Sequence, residues 1–167
     1  MSGDLLILAG LPGSGKSTIA IRLARKLGAC WLRIDTIEQA LRDLCSVAVE
    51  GEGYELAYRL AADNLRVGNT VIADSCNPIQ LTRDLWRQVG DDHASTWFDV
   101  EIVCSDPIEH RRRVENREVA VDNLVLPDWD QVVNREYHPW DRERLVIDTA
   151  DRQADDCVAE VLRLLAR

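Results

Sequence analysis

Short runs of Val, Ile and Leu alternate along this chain with longer stretches in which apolar residues recur every three or four positions. The first pattern belongs to strands buried on both faces and the second to helices that cover them, so the alternation predicts crossover connections and a mainly parallel sheet. Five strands are expected, at Leu5 to Ala9, Trp31 to Ile34, Thr70 to Ala73, Thr96 to Val103 and Arg144 to Ile147. Helices are expected over Lys16 to Leu27, Thr36 to Val47, Tyr54 to Val67, Pro78 to Val89, Pro107 to Glu118 and Ala154 to Leu165. Gly28 and Gly68 supply left-handed stops after two of them. Asp106-Pro107-Ile108-Glu109 reads as a helix start, with Asp106 as cap, Pro107 at the first position and Glu109 able to reach back. Val119 to Asp141 is weakly patterned and reads as an insert with a short helix near Asp128 to Tyr137, the core of a lid-like region spanning about residues 110–141. No repeat or linker interrupts the pattern, and 167 residues predict one domain over 1–167.

The first strand runs into Gly10-Leu11-Pro12-Gly13-Ser14-Gly15-Lys16-Ser17, followed by Thr18 and an amphipathic segment. Glycines at these spacings let successive amides aim at one anion, and a helix opening at Lys16 adds its positive dipole end. The strand-loop-helix context predicts a triphosphate site, with Lys16 reaching the β- and γ-phosphates and Ser17 ligating Mg²⁺. A dinucleotide fold is excluded, because Gly10-x-x-Gly13-x-Gly15 followed by Lys-Ser lacks the required glycine order.

In an open parallel sheet, ligands bind beyond the carboxyl ends of the strands. Asp74 ends the third strand and is the candidate to hold a metal-bound water opposite Ser17; capping the helix at Pro78 is its competing role. Asp35 follows the second strand and could accept the proton of an attacking hydroxyl, although Asp35-Thr36-Ile37-Glu38 also has capping-box spacing. Arg111, Arg112, Arg113 and Arg117 share a segment in which Arg113 and Arg117 would lie on one helical face, either as a clamp on a migrating phosphoryl group or as a solvated face offset by Glu101, Glu109 and Glu115. Trp129, Tyr137, His138 and Trp140 crowd the insert and either line an acceptor pocket or glue the insert to its domain. His93 and His110 read as structural. The loop Asp148 to Asp151 could border the adenine.

A net charge of −9 argues against a protein that wraps long nucleic acid, which needs a broadly basic surface. The five scattered cysteines show neither Cys-x-x-Cys nor metal-ligand spacing and read as reduced core residues. With no basic leader and no apolar run long enough to span a bilayer, a cytoplasmic location with no membrane partner is expected. Nothing specifies an oligomeric state.

Taken together, the Gly10 to Thr18 loop, Asp35, the Val-Ile-Ala-Asp-Ser-Cys-Asn-Pro run around Asp74, the Arg111 to Arg117 stretch and the terminal Val-Ile-Asp-Thr strand resemble the small P-loop kinases of the AAA_33 group, which holds phage-type polynucleotide kinase, zeta-toxin kinases and chloramphenicol phosphotransferase, with gluconate and adenylylsulfate kinases nearby. The resemblance implies a three-layer α/β P-loop NTPase fold with a parallel sheet ordered 2-3-1-4-5, ATP and Mg²⁺ as donor and metal, and transfer of the γ-phosphate to a hydroxyl. It makes Gly10, Pro12, Gly13, Ser14, Gly15, Lys16, Ser17 and Thr18 the nucleotide loop, Asp35 the base, and Arg113 and Arg117 the lid arginines. In polynucleotide and zeta-type kinases an arginine that grips an acceptor anion follows the base by three residues; here that position is Glu38, with Arg42 as a substitute one turn later. An acceptor lacking an anion at that spot follows, and a small molecule is favoured over a 5′-hydroxyl nucleic acid end. A nucleotide-dependent switch that orders the insert for a protein partner is the alternative of another class.

Overall fold

A computed structural model describes residues 2–166. The chain runs β1 (Leu5–Ala9), α1 (Lys16–Leu27), β2 (Cys30–Arg33), α2 (Ile34–Cys45), α3 (Glu52–Arg66), β3 (Val71–Asp74), α4 (Gln80–His93), β4 (Trp97–Val103), α5 (Pro107–Asn116), α6 (Trp129–Val133), β5 (Leu145–Asp148) and α7 (Ala154–Leu165). The five strands form one sheet in the order β2-β3-β1-β4-β5, and every pairing is parallel. This is the predicted order.

The central strand β1 is apolar throughout because both of its faces are covered. Leu6 and Leu8 point into a core completed by Ile19, Ala20 and Leu23 of α1 and Cys157, Val158 and Val161 of α7. Leu5 and Ile7 point the other way, onto Ala57, Tyr58, Ala61 and Leu65 of α3 and Trp86 of α4. The two layers meet at period two along one strand, which clamps the carboxyl end of β1, and thus the loop that follows, from both sides.

Element boundaries differ from expectation where capping chemistry differs. β2 spans Cys30–Arg33 and α2 opens at Ile34, because Ile34 turns inward onto the α3 side of the core. The Asp35–Glu38 capping box does not form: Arg33 holds the cap position with no side-chain cap bond. A capping box forms instead at Asp128, whose carboxylate accepts the Gln131 amide while the Gln131 side chain accepts the Asp128 amide. It fixes α6, which is shorter than the predicted 128–137 helix. Asp106 caps α5 as expected, accepting from the amides of Ile108 and Glu109 at 2.8 and 3.2 Å. The Glu109 carboxylate does not reach back; it accepts from Arg113 and from the Asp151 amide. α4 begins at Gln80 rather than Pro78, because Asn77 adopts φ 44° and the chain stays extended through Ile79.

The insert divides into two parts. Val119 to Pro127 borders the large cleft described below, and its Asn123 donates to Asp43 of α2 at 3.1 Å. Residues 137–140 pack on α4 instead. Arg83, fully buried, donates to the carbonyls of Asn77, Pro78, His138 and Pro139, and its guanidinium lies 4.1 Å from the Trp140 ring centroid and 5.0 Å from that of Tyr137. Tyr137 donates to the buried Glu101, which also accepts from Arg144 at 2.7 Å. The insert aromatics are therefore the glue of the second reading, and none of Trp129, Tyr137, His138 or Trp140 lines the cleft. Among the described residues, no helix is long and apolar enough to cross a membrane.

Candidate active site

The loop after β1 takes the shape its glycines permit. Gly10, Gly13 and Gly15 have φ of 136°, 82° and 100°, all in the region that side chains disfavour. A Cβ on Gly13 would sit 2.5 Å from Val114 Cγ2, so α5 packs directly against the loop. The first helical hydrogen bond runs from the Ile19 amide to the Gly15 carbonyl, which leaves the amides of Lys16, Ser17 and Thr18 without a backbone acceptor among the described residues. These are the donors an anion at a helix N-terminus uses. Lys16 is largely buried and spans the loop to donate to the Leu11 carbonyl at 3.0 Å; Ser14 Oγ is buried without a partner.

Two side chains far away in sequence hold this loop. The buried His110 Nε2 lies 2.9 Å from the Pro12 carbonyl, with its ring edge-on to Trp129. Since a carbonyl only accepts, Nε2 carries the proton. Thr149, after β5, has its hydroxyl 2.9 Å from the Ser14 carbonyl and accepts from Arg113 at 2.7 Å. The sequence marks His110 only as structural and Thr149 only as part of the Asp148 to Asp151 loop, because their partners are backbone atoms of a loop more than 90 residues away.

Asp74 ends β3 and is almost fully buried. It accepts from Trp31 Nε1 at 3.1 Å and caps no helix. Burial pushes its carboxyl above the usual carboxylate range, against the opposing pull of the Lys16 ammonium, the Ser17 and Trp31 donors and the Arg33 guanidinium. A carboxylate destabilised by burial yet placed beside a hydroxyl and an ammonium is a fitting ligand for a divalent cation. Among the described residues no cluster of three or more His, Cys, Asp or Glu could hold a metal, so a cation here would keep waters and substrate oxygens as its remaining ligands.

Asp35 sits in the first turn of α2 rather than at the strand end. Its side chain is 54% exposed, faces the cleft and makes one long ion pair with Arg33 at 4.0 Å. Glu38, one turn on, is paired with Arg42 at 3.2 Å, and its pKa is raised by burial despite that partner. Gln39 is buried on the same wall, donating to Asp43.

The arginines divide. Arg113 is locked: its guanidinium binds Glu109 at 2.6 Å and both the hydroxyl and the carbonyl of Thr149. Arg117 does not share its helical face, because α5 ends at Asn116 and Arg117 is extended, with ψ 142°. It donates to the Pro127 carbonyl at 3.1 Å, and its Nε is buried without a partner. Arg111 pairs outward with Glu115.

One cleft of about 1210 Å³ joins these groups. It runs from Thr149 and Arg152 past Lys16, Ser17 and Asp74 to Asp35, Arg117 and Arg135, with Leu124 to Pro127 as its outer wall. The nucleotide loop and the candidate base thus open onto the same space.

A family model described as an AAA domain, AAA_33, matches residues 5–135. A cytidylate kinase of Ignicoccus hospitalis is 26% identical over 141 residues, covering 84% of this chain and 78% of that protein. A shikimate kinase of Corynebacterium efficiens is 29% identical over 142 residues, covering 68% of this chain and 78% of that one. The solved structure of the Mycobacterium tuberculosis APS kinase CysC in complex with AMPPNP and APS superposes with a TM-score of 0.74 at 22% identity, over 99% of both chains. The chain belongs to the AAA_33 family of AAA domains and has the fold of the small P-loop kinases.

Proposed function

We propose that this kinase uses ATP and Mg²⁺ to move the γ-phosphate to a hydroxyl group of a small molecule, with the whole chain acting as one kinase domain and residues 110–141 as its lid. The observation that carries the reading is the shared cleft: Asp35, relieved of any capping role, opens onto the same space as Lys16, Ser17 and Asp74. The cytidylate and shikimate kinases among the relatives and the AMPPNP-bound structural neighbour support the donor and the reaction type.

In this reading the Gly10 to Thr18 amides cradle the triphosphate, with Gly10, Pro12, Gly13, Ser14 and Gly15 shaping the turn, and Lys16 neutralises the β- and γ-phosphates. Ser17 and Asp74 would hold the magnesium, Asp74 through a water, and the ion would supply charge neutralisation for the triphosphate. Asp35 accepts the proton of the acceptor hydroxyl as its oxygen bonds to the γ-phosphorus and the bond to the bridging oxygen breaks, leaving ADP. Arg117, which lines the cleft with its guanidinium largely free of hydrogen bonds, is the lid arginine between the migrating group and the acceptor. Arg113 braces Thr149 and, through it, the Ser14 carbonyl of the loop. Thr149 and Arg152 border the nucleotide end.

The test is ADP formation by the purified protein with ATP, Mg²⁺ and a panel of hydroxylated metabolites and antibiotics. Asp35→Asn is expected to lower the acceptor-dependent kcat by roughly 10²- to 10⁴-fold with the KM for ATP within about twofold. An acceptor-dependent rate that survives Asp35→Asn intact removes Asp35 as base. Hydrolysis that no acceptor stimulates points to a nucleotide switch, and labelling of an oligonucleotide 5′ end points to a nucleic acid acceptor.

A further inference from the structure

We infer that the acceptor carries an anionic group, a phosphate or a carboxylate, and that Arg117 and Arg135 grip it beside Asp35. The inference rests on the kinase reading and names the substrate class of that site.

The chain as a whole is acidic, at −9, yet its cleft is lined by eight Lys and Arg against four Asp and Glu. Most of those cations are already engaged. Arg33, Arg42, Arg112, Arg113 and Arg152 each have a carboxylate within 4.0 Å. Lys16 lies in the phosphate loop. Two remain: Arg117 and Arg135 have no acidic partner within 4.0 Å among the described residues, and the Arg135 side chain makes no hydrogen bond there either. Arg117 spends one donor on a neutral carbonyl and buries its Nε without a partner.

Both guanidinium-bearing residues line the cleft that holds Asp35. Burial lowers the Arg117 pKa and the charge of Arg135 lowers it further, while Asp35 and Cys76 pull the other way. Arg117 therefore sits within electrostatic reach of both Arg135 and the candidate base. Two like charges on one partly enclosed cleft, with donors unspent and no carboxylate within 4.0 Å of either among the described residues, are costly unless an anion joins them. The planar forks of arginine match a phosphate or carboxylate with two parallel hydrogen bonds. Asp35 lines the same cleft, so an acceptor anchored by its anion can present a hydroxyl to the base. Glu38 stands where polynucleotide-type kinases carry an arginine, so here the grip comes from Arg117 and Arg135 instead.

Two measurements test this on the full chain. In the first, initial rates are compared for acceptor sets that differ only in the charged group: ribose with ribonate and ribose 5-phosphate, and glucose with gluconate and glucose 6-phosphate. In the second, inorganic phosphate and malonate are titrated calorimetrically into protein saturated with Mg²⁺ and AMPPNP, so that the triphosphate site is filled. One of the two anions is expected to bind with 1:1 stoichiometry, and Arg135→Gln and Arg117→Gln are expected to weaken it by about 10- to 100-fold. Phosphate binding alone assigns a phosphate ester, malonate binding alone a carboxylic acid. Any acceptor that reacts is expected to be a charged member, with its KM raised at least tenfold by Arg135→Gln and the KM for ATP moved less than twofold. Arg135→Lys, which keeps the charge without the fork, restores part of the loss. Failure of both anions to bind, equal titration in the arginine variants, or a neutral sugar that reacts as well as its charged relatives would overturn the inference. If instead Lys16→Ala binds AMPPNP as the wild type does, the kinase reading itself falls.

Discussion

Replacing His110 by alanine should weaken both the fold and the grip on nucleotide, and the size of the effect follows from its three contacts. Its Nε2 donates to the Pro12 carbonyl at 2.9 Å inside the protein. Leaving that buried carbonyl unpaired costs about 1–3 kcal/mol. The edge-on contact with Trp129, with ring centroids 5.3 Å apart, adds about 0.5–1.5 kcal/mol. The vacated space beside Gly13 and Val114 adds a cavity penalty. A total near 3 kcal/mol is expected, which for a chain of this length is a fall in Tm of roughly 6–12 °C. His110→Phe separates the causes, since it keeps the aromatic contact and removes the donor; about half of the loss should remain. Because the bond fixes the carbonyl of the residue that begins the turn, both variants should also loosen Mg-ATP, with about a tenfold rise in Kd for each 1.4 kcal/mol of loop order lost. Thermal unfolding with and without Mg-ATP, with calorimetry of ATP binding, reads both quantities. If His110→Ala melts within 2 °C of the wild type and binds ATP within twofold, the claim that α5 braces the loop is wrong.

Asp74→Asn tests the buried carboxylate through pH. A native pKa raised by burial means that Asp74 contributes its stability in full below the unfolded value near 3.9 and loses it as pH rises through the native pKa, so at pH 7 the charge is a cost. Metal-free Asp74→Asn should therefore melt above the wild type at pH 7 and converge with it at acidic pH, while losing the extra stabilisation that Mg²⁺ gives with ATP. A variant that melts several degrees below the wild type in EDTA would refute this. Arg83→Lys should be nearly as damaging as Arg83→Ala, because an ammonium cannot serve four carbonyls and stack on Trp140 at once. Both should lower Tm by more than about 8 °C and expose residues 134–143 to limited proteolysis. A lysine variant within 1 °C of the wild type would show that the guanidinium is not what fastens the insert.

The layers and the phosphate loop were legible because their signals are local. Leu5 to Ala9 is apolar at every position, as a strand covered on both faces requires, and the loop needs glycine at set positions followed by Lys-Ser. Boundaries were less legible, since cap chemistry is available at more places than it is used. Asp35-Thr36-Ile37-Glu38 and Asp128-Trp129-Asp130-Gln131 both carry the spacing of a box, and only the second forms one, because burial of Ile34 starts α2 earlier. The insert aromatics were visible as a cluster, but their destination depended on Arg83, which offers no sequence cue that its guanidinium will be buried among carbonyls.

The acceptor side shows most directly where local reading ends. Outside the phosphate loop and the last turn of α1, most described arginines have an acid three or four residues away, as Arg42 has Glu38 and Arg113 has Glu109. Arg22, Arg33, Arg83, Arg117, Arg135 and Arg142 do not. From sequence these six share the lack of an acid at helical pairing distance. Folding then brings Asp155 to Arg22, Asp84 to Arg142 and four carbonyls to Arg83, while Asp35 and Asp141, close by in sequence, pair with Arg33 and Arg142. It brings no acid within 4.0 Å of Arg117 or Arg135 among the described residues, and it places both on the one cleft that also holds Lys16 and Asp35. A chain with twenty basic and twenty-nine acidic residues has carboxylates to spare. Leaving two guanidiniums of one cleft without a carboxylate within 4.0 Å costs stability, and that cost is physically intelligible when the anion that completes the site arrives with the substrate.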